Sequence, residues 1–102
     1  IRRSVYEHNP WIGQSLYDAY CEAKDWALDK MRLADVQRYM LPWLYGDLDE
    51  IDEIFGGNPW PYGINANRAA IEALIRFMAE QGMIRREMAP EDLFAPVDET
   101  RR

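Results

Sequence analysis

The sequence contains one cysteine and one histidine, Cys21 and His8, and each scarcity excludes a kind of site. A single cysteine forms no disulfide within the chain and supplies no cysteine-rich zinc site. A single histidine argues against a serine-protease-like triad and against a histidine-based metal centre. We therefore predict no metal site, interpret Cys21 as a packing residue and His8 as a surface residue, and assign no catalytic residue or cofactor.

Long apolar runs and an excess of basic residues are also missing. No run approaches the roughly 20 apolar residues that a membrane-spanning helix requires, which predicts no membrane span. Lys and Arg total 12 against 18 Asp and Glu, and the net charge of −6 argues against a nucleic-acid partner. Five of the acids fall between Asp47 and Glu53 without the ligand spacing of a calcium-binding loop, so we interpret them as a solvated helix face.

Residues that favour strands are scarce, with three Val and one Thr in 102 residues. Apolar residues instead recur at helical spacing, which predicts a mainly α fold of four or so helices with little or no strand. We predict a single helical unit over residues 1–102. Its parts are an extended lead-in or strand remnant over 1–8, a long helix over 9–32, shorter helices over 34–57, a Trp-Pro-Tyr-Gly loop over 58–64, a helix over 65–82 and a tail with a short turn over 83–102.

Proline, asparagine and glycine set the expected helix ends. Pro42 removes a backbone donor, which predicts a short helix that ends near Met40 or one that restarts at Pro42. Asn65 or Asn67 is predicted to cap the last long helix at its N-terminus. Gly82 fits the left-handed position that follows a helix C-terminus. The polar end of the tail is expected to fray.

The loop before the last long helix carries the candidate functional residues, because it combines aromatic rings with polar groups at a helix N-terminus. The residues that we predict to bind substrate are Trp60, Tyr62, Asn67 and Arg68. A helix N-terminus offers unpaired N–H groups to an anion, and a guanidinium can bind a carboxylate through two parallel hydrogen bonds. In the alternative interpretation the two rings only pack, and Arg68 pairs with Glu72 one turn further on.

Seven short segments follow one another in an order that resembles a known family. They are residues 9–11 (Asn-Pro-Trp), 15–17 (Ser-Leu-Tyr), 23–24 (Ala-Lys), 41–44 (Leu-Pro-Trp-Leu), 60–68 (Trp-Pro-Tyr-Gly-Ile-Asn-Ala-Asn-Arg), 80–82 (Glu-Gln-Gly) and 90–96 (Pro-Glu-Asp-Leu-Phe-Ala-Pro). This series is similar to the C-terminal region of the 4,5-dihydroxyphthalate decarboxylase family, and it covers essentially the whole chain.

The resemblance implies a type II periplasmic-binding-protein-like fold in which two α/β lobes close on a ligand, with this chain as the helical C-terminal portion. It also implies that the complete protein removes a carboxylate from a dihydroxylated aromatic dicarboxylate, and we expect this chain to be inactive by itself. A receptor for a small solute, without catalysis, is a second hypothesis, and a free-standing helical interaction domain is a third. The enzyme would be cytoplasmic and the receptor periplasmic.

Apolar stripes on the two long helices lead to one further expectation. One stripe follows the aromatic residues between Trp11 and Trp26, and the other runs from Ile71 to Met78. In the fold that the resemblance implies, such faces cover a sheet, and this chain has no predicted sheet to cover. Because large exposed apolar patches drive association, we predict a homo-oligomer.

Overall fold

The computed structural model describes residues 1–32 and 39–100, and this described part contains five helices and no strand. The helices are α1 (Arg3–His8), α2 (Trp11–Arg32), α3 (Leu44–Phe55), α4 (Ile64–Glu80) and α5 (Pro90–Leu93). The prediction of a mainly α fold is confirmed. The helix predicted to end near Met40 falls largely on residues 33–38, which lie outside the described residues, and α3 begins two residues after Pro42.

The N-terminal segment is helical, so the prediction of an extended lead-in or strand remnant over residues 1–8 is wrong. The backbone N–H of Asn9 closes α1 by donating to the carbonyl oxygens of Val5 and Tyr6. The Tyr6 ring then packs on the start of α2, where a Cβ at buried Gly13 would lie 3.2 Å from Tyr6 Cε2. The missing side chain of Gly13 therefore lets α1 fold back on α2, a long-range effect that no periodic pattern in six residues reports.

Besides Pro90 at the start of α5, the buried apolar side chains come from three of the helices. They are Cys21 from α2, Leu44 and Leu48 from α3, and Ile75 from α4. Cys21 is 1% exposed, which confirms its interpretation as a packing residue. An ion pair between Arg32 and Asp52 adds a polar link from the end of α2 to α3.

The C-terminus of α4 ends as predicted, at Gly82 with a φ of 72°. The N–H of Met83 donates to Met78 O at 2.9 Å, and the N–H of Gly82 donates to Ala79 O at 3.0 Å. This pair of hydrogen bonds is the Schellman arrangement, in which a left-handed glycine satisfies the last helical carbonyls. The chain then turns back, and α5 packs beside α4.

Candidate functional site

An open groove of about 740 Å³ lies between α2, the loop before α4, the first turns of α4 and the tail after α5. Its aromatic lining consists of Tyr17, Tyr20, Tyr62 and Phe94. Its aliphatic lining consists of Ile64, Ala70, Ile71, Leu74, Ala95 and Val97, and the remaining lining residues are Pro61, Gly63, Asn67 and Glu99. The volume lies within the range of small-molecule sites, so this groove is the candidate functional site.

Lys24 fixes the loop that forms one wall of the groove. Its side chain is buried on α2, and Nζ lies 3.4 Å from both Asn58 Oδ1 and Trp60 O. The same ammonium lies 4.9 Å from the centroid of the Tyr62 ring, within the range of a cation–π interaction. Two carbonyl acceptors and one ring therefore compensate the buried charge and hold Tyr62 at the groove wall.

Asn67 also holds the loop before α4. The structure starts α4 at Ile64 with Gly63 as the N-cap residue, so the prediction that Asn65 or Asn67 is the N-cap is wrong. Asn67 instead lies inside the first turn, where Nδ2 donates to Pro61 O at 2.8 Å and to Gly63 O at 2.9 Å. The amide thereby ties the loop carbonyls to the helix that follows them.

The N-terminus of α4 is capped by the tail of the chain. Glu99 accepts hydrogen bonds from the N–H groups of Ile64, at 2.6 Å, and Asn65, at 3.1 Å. A carboxylate is well placed at a helix N-terminus, because the first N–H groups have no partner within the helix and the helix dipole favours negative charge there. Gly63 makes the approach possible, since a Cβ at that residue would lie 2.7 Å from the Glu99 carboxyl.

A second contact attaches the tail to α2, so the expectation of a frayed polar end is wrong for its described residues. Gln14 Oε1 accepts from the N–H of Asp98 at 2.6 Å, and Gln14 Nε2 donates to Asp98 O at 3.2 Å. One side-chain amide thus satisfies both backbone groups of Asp98. The tail therefore runs along the groove as a structured edge and joins α2 to α4.

Arg68 does not line the groove and is paired with two carboxylates. Its guanidinium is bonded to Glu91, at the start of α5, and lies 3.4 Å from Glu72 Oε1. The hydrogen bond to Glu91 raises the pKa of the Arg68 guanidinium and lowers the pKa of the Glu91 carboxyl. The pairing with Glu72 that the sequence offered as the alternative interpretation is present.

The structure therefore places two of the four residues predicted to bind substrate in the groove lining and two outside it. Tyr62 and Asn67 line the groove, whereas Trp60 and Arg68 lie outside its lining, and Trp60 is 65% exposed. Sequence reasoning missed the groove residues contributed by other elements, which are Tyr17, Tyr20, Phe94 and Glu99. Tyr17 and Phe94 belong to two of the seven family-like segments, which was a signal for them, whereas no local pattern marks Glu99.

Comparison with curated proteins relates the chain to an enzyme. The chain is 24% identical to 4,5-dihydroxyphthalate decarboxylase from Comamonas testosteroni. This match extends over 96 residues, which are 94% of the chain and 29% of the decarboxylase, so the chain spans under a third of that relative's length. No family model and no solved structure matches the sequence. The similarity to the Comamonas decarboxylase agrees with the resemblance carried by the seven segments, as a distant relationship.

Two structural features, a metal-binding cluster and a membrane-spanning helix, are absent from residues 1–32 and 39–100. In these ranges no group of three or more His, Cys, Asp or Glu side chains is arranged to hold a metal ion. Nor is any helix there both long enough and apolar enough to cross a bilayer.

The ion pair between Arg68 and Glu91 makes stability depend on pH in a defined direction. Because its pKa is lowered on folding, Glu91 binds a proton more weakly in the folded chain than in the unfolded one. Its stabilising contribution is therefore complete above the ordinary glutamate pKa and is lost as the pH falls through the lower folded value. We expect Glu91→Gln to reduce the free energy of unfolding at neutral pH and to equal the wild type in acid.

Urea denaturation at a series of pH values measures this difference. Glu87→Gln is the control, because Glu87 is exposed in the segment just before α5 and forms no ion pair with another described residue. A difference for Glu91→Gln that persists unchanged through the acid range would show that the pair with Arg68 does not link folding to protonation.

Proposed function

We propose that the groove is part of the substrate site of a decarboxylase that removes one carboxylate from a dihydroxylated aromatic dicarboxylate. The observation that carries this proposal is an aromatic groove in a chain similar to the Comamonas decarboxylase. Because the chain spans 29% of that relative, the proposal assigns the activity to a longer protein in which this helical unit supplies one wall of the site. In that protein the unit packs on one of two α/β lobes.

The aromatic lining suits a flat, hydroxylated ring as the ligand. Aromatic pairs favour offset-stacked or edge-to-face arrangements with centroids about 4.5–7 Å apart, and four rings around one groove offer several such positions. Three of the four are tyrosines, whose hydroxyl groups both donate and accept hydrogen bonds and so match phenolic substituents. In this proposal Tyr62 contacts the substrate ring, and Asn67 and Lys24 keep Tyr62 in place.

Recognition of the substrate carboxylates is assigned to the rest of the longer protein. The lining found in the described residues includes no Lys or Arg, and its charged side chain is Glu99. Lys24 is occupied by the loop carbonyls, and Arg68 by Glu91 and Glu72. This chain therefore orients the ring and excludes water, whereas cationic groups for a dianion come from elsewhere.

Decarboxylation benefits both from the exclusion of water and from polar groups that stabilise the developing charge. When the bond between the ring and the carboxylate breaks, carbon dioxide leaves and the electron pair stays on the ring carbon, which then takes a proton. Polar groups placed where that charge develops lower the barrier most in a site from which water is excluded. Apolar walls such as those of the groove supply the exclusion of water and leave the electrostatic stabilisation to the other groups.

The experiment combines binding and turnover in the complete protein. Calorimetric titration with 4,5-dihydroxyphthalate measures Kd, and the release of carbon dioxide measures the reaction. We expect Tyr62→Ala to raise Kd about tenfold, because an aromatic contact and its buried area are lost. Tyr45→Ala is the matched control, since Tyr45 is a partly exposed tyrosine on α3 that does not line the groove.

Three outcomes would contradict the proposal. Equal effects of Tyr62→Ala and Tyr45→Ala would remove the groove from the substrate site. Tight binding of the diacid without any release of carbon dioxide would identify a solute receptor. Absence of both binding and turnover would show that the similarity to the Comamonas decarboxylase does not extend to its substrate.

A further inference from the structure

The groove lining found in the described residues contains one charged side chain, Glu99. Its carboxylate accepts one hydrogen bond at each oxygen, from Ile64 N to Oε1 at 2.6 Å and from Asn65 N to Oε2 at 3.1 Å. Residues 1–32 and 39–100 place no Lys or Arg in an ion pair with Glu99. Glu99 is therefore a fixed negative charge at one wall of a largely apolar groove.

The Glu99 carboxylate keeps acceptor capacity after it has capped α4. An ionised carboxylate has two oxygens with about four lone-pair positions, and it has no donor. The two backbone N–H groups take one position on each oxygen, which leaves each oxygen able to accept a second hydrogen bond. Because Glu99 is only half-buried and the groove is open, a ligand in the groove reaches this carboxylate.

Two neighbouring phenolic hydroxyl groups match this pair of oxygens. Each hydroxyl donates one proton, and hydroxyl groups on adjacent ring carbons present two donors side by side. A carboxylate presents two acceptors side by side, as when it receives the paired donors of a guanidinium. The same carboxylate disfavours a substrate carboxylate beside it, because like charges repel most strongly where water is excluded.

We propose that Glu99 determines specificity for the hydroxylated edge of the substrate ring, by accepting hydrogen bonds from two adjacent phenolic hydroxyl groups. This inference rests on the proposed function and names the group that orients the substrate in the groove. In 4,5-dihydroxyphthalate the hydroxyl groups and the carboxylates occupy opposite edges of the ring. With the hydroxylated edge at Glu99, both carboxylates lie away from it, toward the rest of the longer protein that supplies the cationic groups.

The position of Glu99 suits this role, because it is held from two sides and lies beside the proposed ring contact. The preceding residue, Asp98, is attached to α2 through both polar atoms of the Gln14 amide. A Cβ at Gly63 would lie 2.7 Å from the Glu99 carboxyl, so the acceptor is next to the residue that follows Tyr62 in the chain. An acceptor already fixed in place loses little conformational freedom when a ligand binds.

Paired titrations of the complete protein test this role. Calorimetry measures Kd for 4,5-dihydroxyphthalate and for phthalate, which has the same carboxylates and no hydroxyl group. A hydrogen bond to a charged group changes affinity by about tenfold or more, so the wild type is expected to bind phthalate about a hundredfold more weakly. Glu99→Gln keeps the size of the side chain and removes its charge, and it is expected to reduce this ratio of Kd values at least about tenfold.

Glu91→Gln is the matched control, because Glu91 is also a carboxylate bonded to α4, through Arg68, and lies outside the groove lining. Its ratio of Kd values is expected to stay within about threefold of the wild type. A merely structural role of Glu99 would weaken both ligands equally in Glu99→Gln, and an unchanged ratio in that variant overturns the proposal.

The wild type alone supplies a second test, which does not depend on the folding of any variant. Equal affinity for the two ligands, or binding of neither, would overturn the assignment of Glu99. Because the ratio is measured without turnover, its outcome is separate from that of the proposed function. A hundredfold ratio that Glu99→Gln abolishes, in a protein that releases no carbon dioxide, would support this inference and contradict the decarboxylase.

Discussion

Replacing Ile75 with alanine is expected to lower the free energy of unfolding by about 3 kcal/mol, the cost of a large cavity in a well-packed site. Ile75 is 6% exposed on α4, where it is one of only a few buried apolar residues in the described part of the chain. A domain of this size has a total stability of roughly 5–15 kcal/mol, so the variant loses a large share of it. Urea denaturation followed by circular dichroism measures the difference.

Leu74→Ala is the matched control for Ile75→Ala. Leu74 precedes it on the same helix, is 58% exposed and faces the groove. Removing a largely exposed side chain is expected to cost less than about 1 kcal/mol. Equal losses for the two variants would show that the two faces of α4 are buried alike in solution, which contradicts the packing described above.

Replacing Gly63 with alanine is expected to lower the free energy of unfolding by about 2–3 kcal/mol, for two reasons that act together. The φ of Gly63 is 105°, a conformation that residues with a side chain adopt only under strain. An added methyl group would also lie 2.7 Å from the Glu99 carboxyl, so it displaces the group that caps α4. Thermal and urea denaturation both measure the loss.

Gly46→Ala is expected to have the opposite effect on the free energy of unfolding. Gly46 lies inside α3, and a Cβ there meets no atom within 4 Å. Alanine is favoured over glycine in a helix by about 1 kcal/mol, so this variant is expected to be more stable than the wild type.

A double-mutant cycle separates the two parts of the Gly63 effect. Glu99→Ala alone is expected to cost about 1 kcal/mol, the usual value of a lost helix cap. Since Gly63→Ala already displaces the carboxyl, combining the two substitutions should cost less than the sum of the single effects. Additive losses would mean that Glu99 and Gly63 act independently, and that strain alone accounts for the cost at Gly63.

The helices were the predictable part of this fold because their signals are local. The periodic apolar residues of α2 and α4 and the left-handed glycine after α4 depend on neighbours within a few positions. α1 was missed because its six residues hold no stripe, and it packs through Tyr6 on Gly13, a contact that only the folded chain creates. The cap of α4 was missed because Glu99 is 35 residues from Ile64, whose N–H donates a hydrogen bond to the Glu99 carboxylate.

The candidate site could likewise be predicted only where its residues are close together in the sequence. The loop before α4 was identified from its own residues, and it does supply Tyr62 and Asn67 to the groove. The other walls come from α2 and from the tail, so their convergence depends on tertiary structure. Arg68 was predicted to bind a carboxylate, and it does bind one, but the carboxylate belongs to Glu91, 23 residues away.

The attachment of the tail has a consequence for how the protein is made. Gln14 and Asp98 are 84 positions apart, and Glu99 joins the start of α4 across 35 positions. All five helices of the described residues are therefore synthesised before Asp98 and Glu99, which tie them together. Closing so long a loop is slow. Until the tail is in place, the nascent chain presents an uncapped α4 and leaves the apolar groove residues of α2 and α4 without their third wall, and such surfaces favour aggregation.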